Sequence, residues 1–231
     1  MFFLLSINLF LNFFSPTSYP IVHTMIKQES IPTKTYLALG DSYTIGESVT
    51  EQERFPIQAV QKLNAAGFHI DQPDIIAVTG WTTGDLIRAI HKKSFTHHYD
   101  LVTLLIGVNN QYQGRSESEY KEDFENLLQR AIELAGDNPS HVIVLSIPDY
   151  SVTPFAGGSD QKKIAIDIDR FNELNRIISA QYKVHWVDIT EESRKAKNEP
   201  SLIAGDGLHF SGKEYALWAD ELFPVMRDAL K

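Results

Sequence analysis

Tyr99-Asp-Leu-Val-Thr-Leu-Leu-Ile106 is the most apolar of the chain's strand patterns, and it shows no regular alternation of apolar and polar residues. A strand with one face in water alternates; a strand covered by helices on both faces does not. Working outward, Thr35-Tyr-Leu-Ala-Leu39 reads as a second buried strand ended by Gly40, and Asp74-Ile-Ile-Ala-Val78 as a third. His141-Val-Ile-Val-Leu-Ser-Ile147, closed by Pro148, and Val184-His-Trp-Val187 complete a set of five. Helical patterns separate them. Phe55–Ala66 carries Pro56 in its first turn and Gly67 after its end. Thr82–Lys92 opens on a Thr82/Asp85 cap pair. Ser116–Ala135 opens on a Ser116/Glu119 capping box and keeps Tyr120, Phe124, Leu127, Leu128, Ala131 and Leu134 on one face. Asp160–Tyr182 follows, and a last helix is capped by Ser211 with Glu214. Strands alternating with helices predict a three-layer α/β/α sandwich around a five-stranded, mostly parallel sheet.

The 231 residues are 43% hydrophobic, enough for one such domain, read here as residues 33–231. A net charge of −9 argues against a broad nucleic-acid or anionic-membrane surface. The absence of cysteine excludes disulfides, thiolate metal sites, a cysteine nucleophile and a cysteine-linked lipid anchor. Residues 1–30 stand outside the fold as an N-terminal extension. Met1–Phe14 is almost wholly apolar and too short for a membrane span of ~20 residues. Two readings stay open. Residues 1–18 form an export signal, although no basic residue precedes the apolar run, and the protein is periplasmic or secreted; or translation starts at Met25 and it is cytoplasmic.

In open sheets of this kind, ligands bind beyond the carboxyl ends of the strands. The residues there are Gly40-Asp41-Ser42, Gly80, Gly107-Val-Asn109, Asp149 and Asp188. Taken alone, Gly40-Asp41-Ser42 reads as a helix cap or an anion-binding turn. Asp206-Gly-Leu-His209, just before the last helix, changes the weight. A hydroxyl nucleophile needs a base near pKa 7, and histidine fits. A carboxylate on Nδ1 holds the imidazole in the right tautomer and stabilises the imidazolium. Asp206 lies three residues from His209 and reaches it locally; Asp188, also at a strand end, is the rival acid. Oxyanion donors are available in the Ser42 and Gly80 N–H groups and the Asn109 amide. Singly, Gly80 reads as a turn glycine and Asn109 as a loop cap. The remaining histidines, including His97-His98, lack metal-ligand spacing.

Gly40-Asp-Ser-Tyr43, Gly80, Gly107-Val-Asn109 and Asp206-Gly-Leu-His209 together, in this order over residues 35–215, resemble the SGNH hydrolase superfamily, or GDSL-type esterases. The resemblance implies a flavodoxin-like sandwich, Ser42 as nucleophile, His209 as base, Asp206 as its orienter, and an oxyanion hole from Ser42, Gly80 and Asn109. It implies no metal or organic cofactor, and a small-molecule ester as partner. Tyr43 replaces the family's leucine, a change read as lying outside the reacting atoms. Asn110 replaces a frequent aspartate, which is expected to alter hydrogen bonding around Asn109. The ester itself is left open among acyl esters, acetylated sugars, lysophospholipids and thioesters. With no long apolar insertion to act as a lid, short acyl chains are favoured. Asp149–Ser159, which contains Tyr150, Pro154, Phe155, Gly157 and Gly158, reads either as a segment that lines or covers the site or, the favoured reading, as an ordinary strand-to-helix connection. The alternative to an esterase is a non-catalytic, flavodoxin-like binder of a small ligand or anion at Gly40-Asp-Ser42.

Overall fold

The computed structural model describes residues 33–231, so the expectations for residues 1–30 fall outside the described residues. Five strands form one sheet: β1 (Tyr36–Gly40), β2 (Asp74–Ala77), β3 (Leu101–Leu105), β4 (Val142–Leu145) and β5 (His185–Val187). Their order is β2-β1-β3-β4-β5, and every neighbouring pair is parallel. The expected mostly parallel sheet is therefore wholly parallel. The central strands β1, β3 and β4 are buried along their full length, while the edge strands β2 and β5 are only partly so. That is why the central strands carry no apolar/polar alternation: even Thr103 of β3 is buried, with its hydroxyl bonded to Tyr36.

The long helices are α2 (Phe55–Ala65), α3 (Thr83–Lys92), α5 (Glu117–Leu134), α6 (Gln161–Tyr182) and α8 (Gly212–Ala229). Three one-turn helices escaped the sequence reading: α1 (Ser42–Ile45), α4 (Val108–Tyr112) and α7 (Thr190–Arg194). Each follows a strand directly, and four or five residues are too few to show a helical period. Helix α2 packs against α8; α3 packs against α5, and α5 against α6.

Two of the expected caps form only in part. Ser116 Oγ accepts the Glu119 N–H, but the Glu119 carboxylate pairs with Arg115. Ser211 Oγ takes the Glu214 N–H, whereas the Glu214 carboxylate accepts from Trp218 Nε1 at 2.7 Å. Trp218 is fully buried and meets Tyr43, Phe55, Phe210 and Tyr215 with ring centroids 4.9–6.1 Å apart. Burying one such ring is worth ~1.5–3 kcal/mol, so this cluster anchors both α1 and the start of α8.

The chain leaves β1 toward β2, then crosses back over β1 to form β3. This reversal is the switch point at which open α/β sheets bind ligands, and it lies between Gly40 and Leu105.

Candidate active site

Gly40 ends β1, and its lack of a side chain is a matter of room. A Cβ there would lie 2.1 Å from Thr44 Oγ1 and 2.5 Å from the Leu105 carbonyl oxygen. The chain can therefore turn straight into α1 while remaining against β3. Asp41 caps that helix by accepting the Tyr43 N–H at 3.1 Å. The cap reading of Gly40-Asp41-Ser42 is thus correct for Asp41, and it leaves Ser42 free as the first helical residue. Burial raises the Asp41 carboxyl to about 7, only partly opposed by the bond from Tyr43.

Ser42 lines a cavity of about 160 Å³ with Gly80, Asn109 and His209. Residues 167 positions apart in sequence therefore meet in one space. No direct hydrogen bond joins the Ser42 hydroxyl to the His209 ring among the described residues. Such contacts are commonly long in the absence of substrate.

His209 is 7% exposed and is held from two sides. Its Nδ1 lies 2.5 Å from Asp206 Oδ2. Tyr43 packs against the ring at 5.8 Å between centroids and 68° between planes, an edge-to-face contact. Tyr43 is thus closer to the chemistry than its sequence reading allowed, because it buttresses the imidazole and lines the cavity. Asp206 Oδ1 accepts the N–H groups of Leu208 and His209, both at 2.9 Å, so the loop wraps around its own carboxylate. Partial burial works to raise the Asp206 carboxyl. Hydrogen bonds from His209, from the Leu208 N–H and from the Ser48 hydroxyl outweigh it and hold the group well below the usual carboxylate range. Asp188, the rival acid, is occupied elsewhere. Its Oδ1 accepts from Ser146 Oγ and the Thr190 N–H, which holds it against the turn into α7.

Gly80 sits at φ +86°, a conformation that disfavours a side chain, in the turn between β2 and α3. Asn109 lies in the first turn of α4 and donates from Nδ2 to the Trp81 carbonyl oxygen at 2.9 Å. An amide nitrogen carries two hydrogens, so this bond orients the group and leaves one to donate. Asn110 is buried and clamps Thr83: its Oδ1 accepts the Thr83 N–H at 3.0 Å, and its Nδ2 donates to Thr83 Oγ1 at 2.7 Å. Thr83 Oγ1 donates onward to Asp123. An ionised aspartate could not make the second bond. The asparagine thus ties the β3–α4 turn to the start of α3.

Tyr112, Tyr150 and Phe155 complete the cavity with Thr79, Val108 and Leu208. Asp149–Ser159 is thus more than a plain connection. It makes two 3₁₀ turns, Tyr150–Val152 and Pro154–Gly158, and sets two aromatic rings on the cavity wall. Buried Asp149 anchors it through Arg194 Nε at 2.9 Å. Tyr150 donates to Gln111 Oε1, joining this wall to α4. Tyr112 and Phe155 are 60% and 48% exposed, so the rim offers apolar surface to a ligand.

A GDSL-like lipase/acylhydrolase family model matches residues 38–217, which is most of the chain. The chain belongs to the GDSL-like lipase/acylhydrolase family. Solved structures agree on the fold of this GDSL-like protein. A lipase/acylhydrolase from Enterococcus faecalis aligns with a TM-score of 0.68 at 17% identity, covering 86% of this chain and 98% of that one. Axe2, an acetylxylan esterase from Geobacillus stearothermophilus, aligns with a TM-score of 0.66 at 17% identity, over 84% and 94% of the two chains. The esterase EstA from Pseudoalteromonas sp., solved inhibited by monoethylphosphonate, gives 0.66 at 17% identity, over 85% and 98%. No curated protein sequence matches the chain. The resemblance read from the four sequence blocks is therefore shown at the level of family and fold, and this family member is a hydrolase. Among the described residues, no three His, Asp or Glu side chains gather as a metal site requires. Nor is any described helix long and apolar enough to cross a membrane.

Proposed function

We propose that this GDSL-like hydrolase is a serine esterase acting on small acyl esters through Ser42, His209 and Asp206. One observation carries the reading. The imidazole bonded to Asp206 lines the same small cavity as the hydroxyl of Ser42, the Gly80 backbone and the Asn109 amide. His209 takes the Ser42 proton as Oγ attacks the ester carbonyl. The tetrahedral oxyanion is received by the Ser42 and Gly80 N–H groups and the free Asn109 N–H. The intermediate collapses, and His209 gives its proton to the departing alcohol. Water then enters, loses a proton to His209 and attacks the acyl carbon; Ser42 leaves with that proton and the carboxylic acid is released. Asp206 keeps its charge throughout and stabilises the imidazolium.

The cavity of about 160 Å³, walled by Val108, Tyr112, Tyr150, Phe155 and Leu208, supports a short acyl group. In a non-catalytic anion binder the Asp206–His209 pair would have no work to do. The purified protein should hydrolyse p-nitrophenyl acetate and take a fluorophosphonate label on Ser42. Ser42→Ala should lose both. Hydrolysis retained in Ser42→Ala, or no activity in the well-folded wild type on any short-chain ester, refutes the proposal.

A further inference from the structure

Ser48 leaves α1 six residues after Ser42 and lies outside the cavity. Its φ is +65°, and among the described residues only Asp137 and Lys183 are other non-glycine residues at positive φ. Lys183 is the C-cap of α6, and Asp137 follows Gly136 just past the end of α5; left-handed residues commonly close helices at such places. Ser48 has no such duty, because Gly46 already closes α1 in the left-handed conformation. A β-carbon is disfavoured at this φ and glycine is not. What glycine lacks is the hydroxyl, which donates to Asp206 Oδ2 at 2.7 Å across 158 residues of sequence.

That contact completes a pattern. Asp206 Oδ1 receives two backbone N–H groups, and Oδ2 receives His209 Nδ1 and Ser48 Oγ. The neighbouring Glu47 carboxylate accepts the Thr79 hydroxyl on the cavity wall. One short turn thus touches the acid of the site on one side and the approach to Gly80 on the other. We propose that Ser48 is a positioning residue of this esterase site. Its hydroxyl fixes the plane of the Asp206 carboxylate, and so the direction in which the imidazole presents Nε2 to Ser42. The assignment rests on the esterase reading above.

The test uses the full chain with Ser48→Gly, Ser48→Ala and Ser48→Asn, assayed on p-nitrophenyl acetate over about pH 5–9, where histidine titrates. Glycine suits the backbone and removes the hydroxyl. Asparagine tolerates the left-handed conformation and supplies a donor. Loss of a charge-assisted hydrogen bond should lower kcat about tenfold in Ser48→Gly with KM unchanged. The acid limb of the kcat/KM profile should move to higher pH, because a carboxylate relieved of one donor holds the imidazolium proton more tightly. Tyr43, which packs on the ring, and Asp41, Glu47 and Glu214, which surround Tyr215 together with Asp206, are unchanged in every variant. Ser48→Gly should melt no lower than the wild type, Ser48→Ala should keep the strain and lose the rate, and Ser48→Asn should recover part of kcat. If active wild type and Ser48→Gly share one kcat and one pH profile, the assignment falls. It falls equally if the rate loss only tracks a lower Tm with no shift in profile. Failure of the wild type to turn over or be labelled at Ser42 is a separate outcome, and sinks the esterase reading itself.

Discussion

The turn Gly40–Ile45 and the loop Gly205–Phe210 each carry one carboxylate toward the same cavity, and they treat it in opposite ways. Asp41 is 1% exposed and accepts a single backbone N–H through its side chain, from Tyr43. Asp206 keeps 32% of its side chain in contact with solvent and collects four donors. Desolvation wins at the first and raises the acid to about 7. Hydrogen bonding wins at the second and keeps it an anion. Both follow a glycine in sequence and stand close to a candidate catalytic residue. Two things separate them: how deeply the carboxylate is buried, and how many N–H and O–H groups point at it. Asp41 is suited to shaping a turn, and Asp206 to facing an imidazolium.

Replacing the two acids in turn is the strongest way to break this comparison. Asp206→Asn should lower kcat by ~10²–10⁴, because an amide favours the wrong imidazole tautomer and carries no charge for the imidazolium. Asp188→Asn should leave kcat near wild type, since Asp188 bonds Ser146 and Thr190 rather than the ring. Steady-state kinetics on one short-chain ester decides it: a crippled Asp188→Asn beside a healthy Asp206→Asn reverses the assignment. A smaller effect belongs to the oxyanion side. Asn109→Ala should cost ~10²–10³ in kcat with little change in KM. Asn110→Asp should cost less, because it breaks one bond to Thr83 Oγ1 and moves Asn109 only indirectly. Equal rates in Asn109→Ala and wild type would remove that amide from the mechanism.

The fold was legible because the buried strands announce themselves. Leu101–Leu105 and Val142–Leu145 are buried at every position and apolar at all but Thr103, whose hydroxyl bonds Tyr36 in the interior, so burial and sequence nearly coincide. The Asp206–His209 pair was legible for a different reason: three residues of spacing in a glycine-bounded loop settle the contact locally. What stayed hidden depends on residues far apart in the chain. Ser48 meets Asp206 across 158 positions, and nothing in Gly46-Glu-Ser-Val49 marks a partner. Tyr43 read as a neutral substitution because its ring contact with His209 joins positions 166 residues apart. Tyr150 and Phe155 were legible only as one of two readings of Asp149–Ser159, because the 3₁₀ turns there carry no periodic signal and the rings face the site through tertiary packing.

The last effect concerns stability rather than rate, and it sharpens the contrast between the two acids by giving their pH dependences opposite signs. An acid lowered by folding, as at Asp206, contributes stability above its unfolded value and loses it as pH falls through the folded one. An acid raised by folding behaves otherwise. Between the unfolded value of 3.8 and the folded value of about 7, Asp41 keeps its proton in the native state and gives it up in the unfolded chain. The native state binds more protons over that window, so stability falls as pH rises through it. Asp41→Asn keeps an acceptor for the Tyr43 N–H and removes the titration. Relative to wild type it should gain on the order of 2–4 kcal/mol between pH 4 and pH 8, most of it before pH 7. Glu214, also raised to about 7 by burial, titrates over the same window in both proteins and cancels from the difference. Urea unfolding of the two chains at those two pH values reads the effect directly. A stability difference that stays flat with pH would mean that Asp41 is ionised in its buried turn, and that the two carboxylates of the site are more alike than their surroundings imply.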